Sequence, residues 1–229
     1  MIKETNEGMA AALARMLDTL EKKVNPVHTA LIVVDMQNDF CATEGMLGRE
    51  GAELSMLQSM APKLASFINK AREAGVAIIF IQNIESMDND WYISDVLLEH
   101  FRRTAKSRYG EYPVCQRGSW GAGFYEEIKP LPGDIIVNKH RYSAFIGTDL
   151  DLILKSRGIR TPIMSGATTN VCVESTARDA FMLDYYTIFL KDGTATYSEE
   201  VHNNTLKNIA QFFGEVVETN GVLKCWSLV

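Results

Sequence analysis

Several features that would point to other classes of protein are missing from this sequence. It has no apolar run approaching the roughly 18 residues of a membrane span, and no secretory signal is recognisable. Its few cysteines are widely spaced and form no CxxC pair; they are Cys41, Cys115, Cys172 and Cys225. Together these absences predict a protein of the reducing cytoplasm.

An excess of positive charge is also missing. The chain carries 23 Lys and Arg against 29 Asp and Glu, a formal net charge of −6, and has no basic block. This argues against nucleic acid or an anionic membrane as a partner and leaves a small molecule. There is no internal repeat, low-complexity segment or domain linker, and 229 residues suffice for one large α/β domain with a sizeable core.

From residue 28 onward, apolar runs rich in β-branched residues alternate with helical patterns. The predicted strands are 28–35, 76–81, 135–137, 162–164, 185–190 and 215–217. The predicted helices are 54–74, 91–103, 149–156, one from about residue 170, and 198–212. This alternation predicts an α/β fold: a doubly wound, mostly parallel sheet with helices on both faces.

Residues 1–27 are predicted to be a separate N-terminal helical arm, and residues 28–229 the main domain. Apolar residues recur at helical spacing in the arm, at Met9, Leu13, Met16, Leu17 and Leu20. Asn25 and Pro26 end the pattern. The arm either packs on its own domain or reaches a neighbouring subunit.

Cys172 lies where a buried strand is predicted to turn into a helix. The first N–H groups of a helix have no internal partner and carry partial positive charge, which favours the nucleophilic thiolate over the thiol. Taken alone, a single cysteine in such a place is more often structural.

Two further strand ends carry reactive groups, Asp35 and Lys139. A parallel sheet gathers the carboxyl ends of its strands along one edge, so both are expected near Cys172. There Lys139 would favour the thiolate and Asp35 would move the proton. Alone, Asp35 is as consistent with capping the loop that follows it.

Three segments together resemble the signature regions of the isochorismatase-like cysteine hydrolases. They are the run 33–40 (VVDMQNDF), the pair 138–139 (NK) and the run 165–173 (SGATTNVCV). The resemblance covers about residues 28–217 and leaves the arm outside. Within that family the chain most resembles the ureidoacrylate amidohydrolases, through segments 117–120, 141–145, 155–160 and 170–179.

The resemblance implies a catalytic triad of Asp35, Lys139 and Cys172. It also implies a cis peptide bond between Ala167 and Thr168, which would aim the Thr168 N–H beside that of Cys172 to form an oxyanion hole. Cys172 would attack an amide-type carbonyl and form a thioester, which water activated by Asp35 would hydrolyse.

Several residues are candidates for binding the substrate, and each is equally consistent with packing or loop capping. They are Gln37, Phe40, Asn83, Trp120 and Tyr142. Arg117 or Arg141 is available for a substrate carboxylate. Residues 84–120 are less regular apart from the predicted helix at 91–103, and we expect them to act either as a substrate-selecting element or as surface packing.

No metal or other cofactor is expected, because the metal-binding nicotinamidases of the family carry an Asp-x-His pair that is missing here. The histidines are His28, His100, His140 and His202. The resemblance further implies a homodimer or homotetramer. Besides ureidoacrylate, the sequence leaves open biuret, an N-carbamoyl amino acid, the nicotinamidase and isochorismatase reactions, and a catalytically silent binding protein.

Overall fold

The centre of the fold is a parallel β-sheet. The computed structural model describes residues 2–85, 92–104, 114–125 and 127–228, with side chains from residue 8 onward. Within these ranges, six strands pair side by side in the order β3-β2-β1-β4-β5-β6. They are β1 Thr29–Val34, β2 Ala77–Asn83, β3 Ile135–Lys139, β4 Thr161–Ala167, β5 Ile188–Ala195 and β6 Glu215–Val217.

Helices cover both faces of this sheet. They are α1 Ile2–Arg15, α2 Leu20–Lys23, α3 Asn38–Cys41, α4 Met46–Arg49, α5 Ser55–Glu73, α6 Asp95–Thr104, α7 Leu150–Ser156, α8 Glu174–Met182, α9 Glu199–Phe212 and α10 Thr219–Cys225. Strand β1 is buried along its whole length because its side chains alternate between two cores. Leu31 and Val33 belong to the core that includes α5, whereas Ile32 belongs to the core that includes α8.

The side on which new strands are added to the sheet switches at β1. The chain first adds β2 and β3 on one side of β1 and then crosses to add β4, β5 and β6 on the other. Ligands bind at such a switch point, outside the carboxyl ends of the strands. Asp35 and the turn after β4 therefore flank the crevice that the topology creates.

The predicted doubly wound, mostly parallel sheet with helices on both faces is confirmed. The fifth strand is shifted from its predicted position at 185–190, because β5 continues through polar residues to Ala195. The pairing of β4 with β5 is irregular between Met164 and Gly166. Asp192 accepts hydrogen bonds from the Thr219 N–H and hydroxyl at the start of α10, which explains a carboxylate within this strand.

The helix predicted at 91–103 is found as α6, while Trp91 itself lies outside the described residues. Tyr109 and Tyr112, within residues 84–120, also lie outside them. No helix in the described ranges is long and apolar enough to cross a bilayer.

The N-terminal arm contacts the domain through its second half, where Val24 is fully buried in the core that includes α5. The Leu17 N–H donates to the Tyr186 hydroxyl at 3.0 Å, and Arg160 donates to the Arg15 carbonyl at 3.1 Å. The side chains of residues 8–16 are exposed. The boundary between arm and domain at residues 27 and 28 stays a prediction.

Gly166 is predicted to be required for the close approach of β4 to β1. Its φ of +101° disfavours any side chain, and a Cβ there would lie 2.2 Å from the Val34 carbonyl oxygen. We expect Gly166→Ala to lower the free energy of unfolding in urea by about 1–3 kcal/mol from backbone strain alone, with a further loss from displacing β1.

The matched control is Gly158→Ala, which has a φ of +65° but no neighbouring atom within 4 Å of the added Cβ. It should cost only the strain of a left-handed residue, about 1–2 kcal/mol. Equal losses for both variants would contradict the importance of the close approach.

Candidate active site

Asp35, Lys139 and Cys172 lie together at the carboxyl edge of the sheet. Lys139 Nζ is 2.8 Å from Asp35 Oδ2 and 3.4 Å from Cys172 Sγ. The Asp35 and Lys139 side chains are each 1% exposed, and Cys172 is 9% exposed. Three residues distant in sequence thus form one buried cluster of an acid, a cation and a thiol.

Strands β1 and β3 position Asp35 and Lys139. Asp35 directly follows β1 with a φ of +47°, a left-handed conformation that aspartate tolerates better than most residues. Lys139 is the last residue of β3, and its ammonium also donates to the Arg141 carbonyl at 2.9 Å and to Asn83 Oδ1 at 3.5 Å. An ammonium has three donors, so Lys139 is held by surrounding acceptors as well as by charge.

Burial is the largest single influence on the pKa of each of the three groups. It raises the pKa of Cys172 to about 12, even though the adjacent Lys139 acts to lower it. Burial also raises the pKa of Asp35, against the opposing effect of Lys139. For Lys139, burial acts to lower the pKa, but Asp35 and Cys172 outweigh it and raise the pKa above that of ordinary lysine. Burial thus favours the thiol form of Cys172 and Lys139 opposes it, whereas the influences predicted from the sequence favour the thiolate.

Cys172 lies in a π-helical turn, Thr169–Val173, between β4 and α8. The Val173 N–H donates to the Thr168 carbonyl five residues earlier, at 3.2 Å. The predicted helix from about Asn170 is found, but its first turn is π-helical and α8 begins only at Glu174. Such wide turns occur often at functional sites.

The peptide bond between Ala167 and Thr168 is cis, as the resemblance implied. Thr168 lines the same cavity as Cys172. Behind the turn, the Thr169 hydroxyl lies 2.9 Å from His202 Nδ1, and the Thr176 hydroxyl donates to the Cys172 carbonyl at 2.7 Å. These contacts fix the segment that carries the thiol.

Gln37 joins the loop after β1 to the end of β2. Its amide nitrogen donates to the carbonyls of Asn83 and Ala122, both at 2.9 Å, and its amide oxygen accepts from the Asn83 N–H at 2.8 Å. Gln37 is fully buried and does not line the cavity. The structure thus gives it a structural position instead of the predicted contact with substrate.

The cavity over Cys172 has a volume of about 240 Å³. This is less than the roughly 300–1,000 Å³ of pockets that hold drug-sized ligands, so the site fits a small molecule. Most of the lining is apolar, and the residues that make up this wall are Phe40, Leu47, Leu97, Phe101 and Val171.

Of the predicted substrate contacts, Phe40, Asn83 and Tyr142 line the cavity. Trp120 does not; its side chain is 56% exposed. Of the two candidate arginines, Arg141 lines the cavity, whereas Arg117 does not. Composition alone gives no direction to an aromatic or basic side chain on an irregular loop, so sequence reasoning could not separate these cases.

Sequence reasoning missed Glu85 and the face of α6 that covers the cavity, formed by Leu97, His100 and Phe101. The helical spacing of Leu97 and Phe101, four residues apart, was a usable signal for that face. Glu85 follows Asn83 by two residues, and this alternation places both on one side of an extended segment.

Among the described residues, no group of three or more His, Cys, Asp or Glu is arranged to hold a metal ion. His202 lies behind the π-helical turn, and the His140 ring stacks on Tyr92 with 3.7 Å between ring centroids.

A family model and individual relatives in other organisms point to the same protein family. The isochorismatase domain matches residues 29–221. The ureidoacrylate amidohydrolase RutB of Stutzerimonas stutzeri (strain A1501) is 38% identical over 201 residues, which cover 82% of this chain and 79% of that protein.

Solved structures agree with this match. A cysteine hydrolase from Pseudomonas syringae pv. phaseolicola 1448A superposes with a TM-score of 0.77 at 30% identity, covering 90% of this chain and 95% of that one. The N-carbamoylsarcosine amidase of Thermoplasma acidophilum superposes with a TM-score of 0.64 at 26% identity, covering 84% and 96%.

Replacing Lys139 with methionine is predicted to destabilise the fold by leaving a buried carboxylate without its counter-charge. Breaking a buried pair costs about 3–5 kcal/mol. We expect Lys139→Met to lose this much in urea unfolding near pH 8. Burial raises the folded pKa of Asp35 and Lys139 opposes this rise, so the variant's Asp35 has a still higher pKa, and the loss should shrink as the pH falls through it and the acid becomes neutral.

The double variant Asp35→Asn with Lys139→Met should recover most of that stability. The control is Lys155→Met, which breaks an exposed pair with Asp151 of similar length, 2.7 Å, and should cost less than about 1 kcal/mol. A Lys139→Met loss no larger than this control would refute the importance of the buried pair.

Proposed function

Because the chain belongs to the isochorismatase family, we propose that it is a cysteine-dependent amidohydrolase that cleaves a C–N bond of a small linear ureido or carbamoyl compound. Ureidoacrylate is the first candidate substrate. The observation that carries the proposal is the contact of the Cys172 sulfur with Lys139 Nζ at 3.4 Å, with Asp35 on the same ammonium at 2.8 Å.

In the proposed first half-reaction, Asp35 accepts the proton of the Cys172 thiol while the sulfur attacks the substrate carbonyl. Burial holds the pKa of Cys172 at about 12, so a base must take this proton as the bond forms. The Lys139 ammonium stabilises the developing thiolate. The N–H groups of Thr168 and Cys172 are proposed to bind the oxyanion, and losing one such donor typically costs about 10²–10³ in rate.

The tetrahedral adduct collapses when its C–N bond breaks, and the leaving amine takes the proton from Asp35. This leaves an acyl group on Cys172 as a thioester. In the second half-reaction Asp35 accepts a proton from water, whose oxygen attacks the thioester carbonyl. The acyl group leaves as an acid, and the proton returns to the sulfur.

The proposed substrate class rests on the cavity and on the relatives. A cavity of about 240 Å³ suits a small compound, and Arg141 at its wall is available for a carboxylate. Ureidoacrylate carries such a group, and biuret does not. N-carbamoyl amino acids also carry one and are the second candidate, favoured by the structural likeness to an N-carbamoylsarcosine amidase.

A homodimer or homotetramer is proposed as the assembled form, with the arm of residues 1–27 as its contact. Met9, Leu13 and Met16 expose 63%, 57% and 45% of their surfaces on that arm, which a neighbouring subunit would cover. We expect light scattering at micromolar concentration to give at least twice the mass of one chain. The mass of a single chain would overturn this proposal.

We also propose a cytoplasmic location, where a nucleophilic thiol stays reduced.

The proposed function is tested by comparing kcat/KM for ureidoacrylate, biuret, N-carbamoyl amino acids and nicotinamide on the purified protein. We expect ureidoacrylate to lead. Replacing Cys172 with serine or alanine should remove turnover and leave the fold intact by circular dichroism.

The matched control is Cys225→Ser, since Cys225 lies away from the cavity on α10, and it should retain activity. More than a few per cent of activity in Cys172→Ala would exclude the nucleophile. Nicotinamide leading by tenfold or more, about 1.4 kcal/mol in transition-state stabilisation, would exclude the ureido class. A protein that turns over none of the four would favour a silent binding protein.

A further inference from the structure

Glu85 is a carboxyl group in the catalytic cavity that the proposed steps do not use. It lines the same cavity as Lys139 and Cys172, two residues beyond the end of β2. Its backbone is fixed on both sides, because its N–H donates to the Cys115 carbonyl at 3.0 Å and its carbonyl accepts from the Arg117 N–H at 3.3 Å. The side chain is therefore positioned by the fold.

The amide of Asn83 contacts both charged groups. Its Nδ2 donates to Glu85 Oε1 at 3.4 Å, and its Oδ1 accepts from Lys139 Nζ at 3.5 Å. The amide oxygen of Asn83, a residue that the sequence suggested for binding the substrate, is thus already in contact with a donor. Among the described residues, Asn83 is the side chain that donates to Glu85, which leaves Oε2 as an acceptor for a ligand.

Other charged and titratable groups surround Glu85. Lys139, at the end of β3, favours the ionised carboxyl. The other titratable or charged side chains that line the cavity are His140, Arg141 and Tyr142 after β3, His100 on α6 and Tyr197 after β5. Asp35, directly after β1, and Asp39, in α3, oppose ionisation. Burial is the largest influence and raises the pKa of Glu85 to about 7. The carboxyl therefore changes charge near neutral pH.

We propose that Glu85 is a specificity-determining residue, whose carboxylate accepts hydrogen bonds from an unsubstituted amino terminus, –CO–NH₂, on the substrate. This deepens the proposed function and rests on it. A ureido compound carries two N–H donors at that terminus. Lys139 and Arg141, which line the same cavity, carry donors only, so Glu85 supplies an acceptor for these N–H groups of the substrate.

The chemistry predicts which substrates are favoured. When the terminal –NH₂ is replaced by a methyl group of similar size, the ligand has no N–H to offer. The ionised carboxylate would then be buried by the ligand without a partner, which is unfavourable. The wild-type protein is therefore expected to prefer ureido compounds to the corresponding acetamido compounds.

The test compares Glu85→Gln with the wild-type protein on two substrates, ureidoacrylate and 3-acetamidoacrylate. We expect Glu85→Gln to lower kcat/KM for ureidoacrylate by about 10- to 100-fold, the range for hydrogen bonds to a charged group. The value for 3-acetamidoacrylate should change by less than about twofold. The control is Glu50→Gln, an exposed carboxyl outside the cavity, which should change neither.

The pH dependence of the ratio of kcat/KM values for the two substrates also tests the proposal, because a purely structural role of Glu85 would leave this ratio independent of pH. Raising the pH through about 7 ionises Glu85, so the wild-type ratio of kcat/KM for ureidoacrylate to that for 3-acetamidoacrylate should rise across this range. In Glu85→Gln the ratio should stay flat. Titrations of Asp35 and Cys172 affect both substrates and largely cancel in the ratio.

The possible results distinguish a failure of the proposed role of Glu85 from a failure of the proposed amidohydrolase activity. If the wild-type protein hydrolyses ureidoacrylate and Glu85→Gln does so equally well, the role of Glu85 is refuted and the amidohydrolase stands. An equal loss on both substrates would also refute it, by showing a general role. If the wild-type protein hydrolyses neither substrate, both proposals fall. Unchanged circular dichroism and thermal midpoint for Glu85→Gln show that the comparison is made on folded protein.

Discussion

The buried ion pair between Lys139 and Asp35 is the interaction on which the rest of this site depends. Two charges removed from water are stable only when they face one another and further polar groups hold them. Here the Arg141 carbonyl and the Asn83 amide oxygen complete the contacts of the ammonium. A thiol at 3.4 Å from the same nitrogen then lies in a strongly polar but dry setting, which suits a hydrolase acting on C–N bonds.

The sheet topology explains why lysine supplies the cation. Strand β3 is separated from β1 by β2, so the backbones of β3 and β1 lie about 10 Å apart at the usual strand spacing. A long, flexible side chain can cross that gap and reach an acid and a thiol that both flank the switch point between β1 and β4. The ammonium is also compact enough to be enclosed by several acceptors at once.

Much of this arrangement was predictable from the sequence, and the physical reason is the regularity of parallel sheets. Apolar runs locate the strands, and their carboxyl ends gather at one edge, so Asp35, Lys139 and Cys172 could be brought together before any coordinates were known. Side-chain direction outside regular elements could not be predicted in this way. Gln37 was a candidate for the cavity and instead binds backbone. Glu85 was overlooked because it lies two residues beyond the second strand, in a segment without a regular pattern, and belongs to no known motif.

The π-helical turn was also unpredictable, because hydrogen-bond spacing inside a single turn leaves no mark on hydrophobic periodicity. Its geometry has an evolutionary consequence. Each residue of an α-helix advances the direction of its side chain by about 100°. A deletion of one residue between Thr168 and Val173 that restored α-helical spacing would keep every reactive residue type and turn the sulfur away from Lys139. For a lineage to keep this chemistry, the length of that turn must be inherited as faithfully as the cysteine itself.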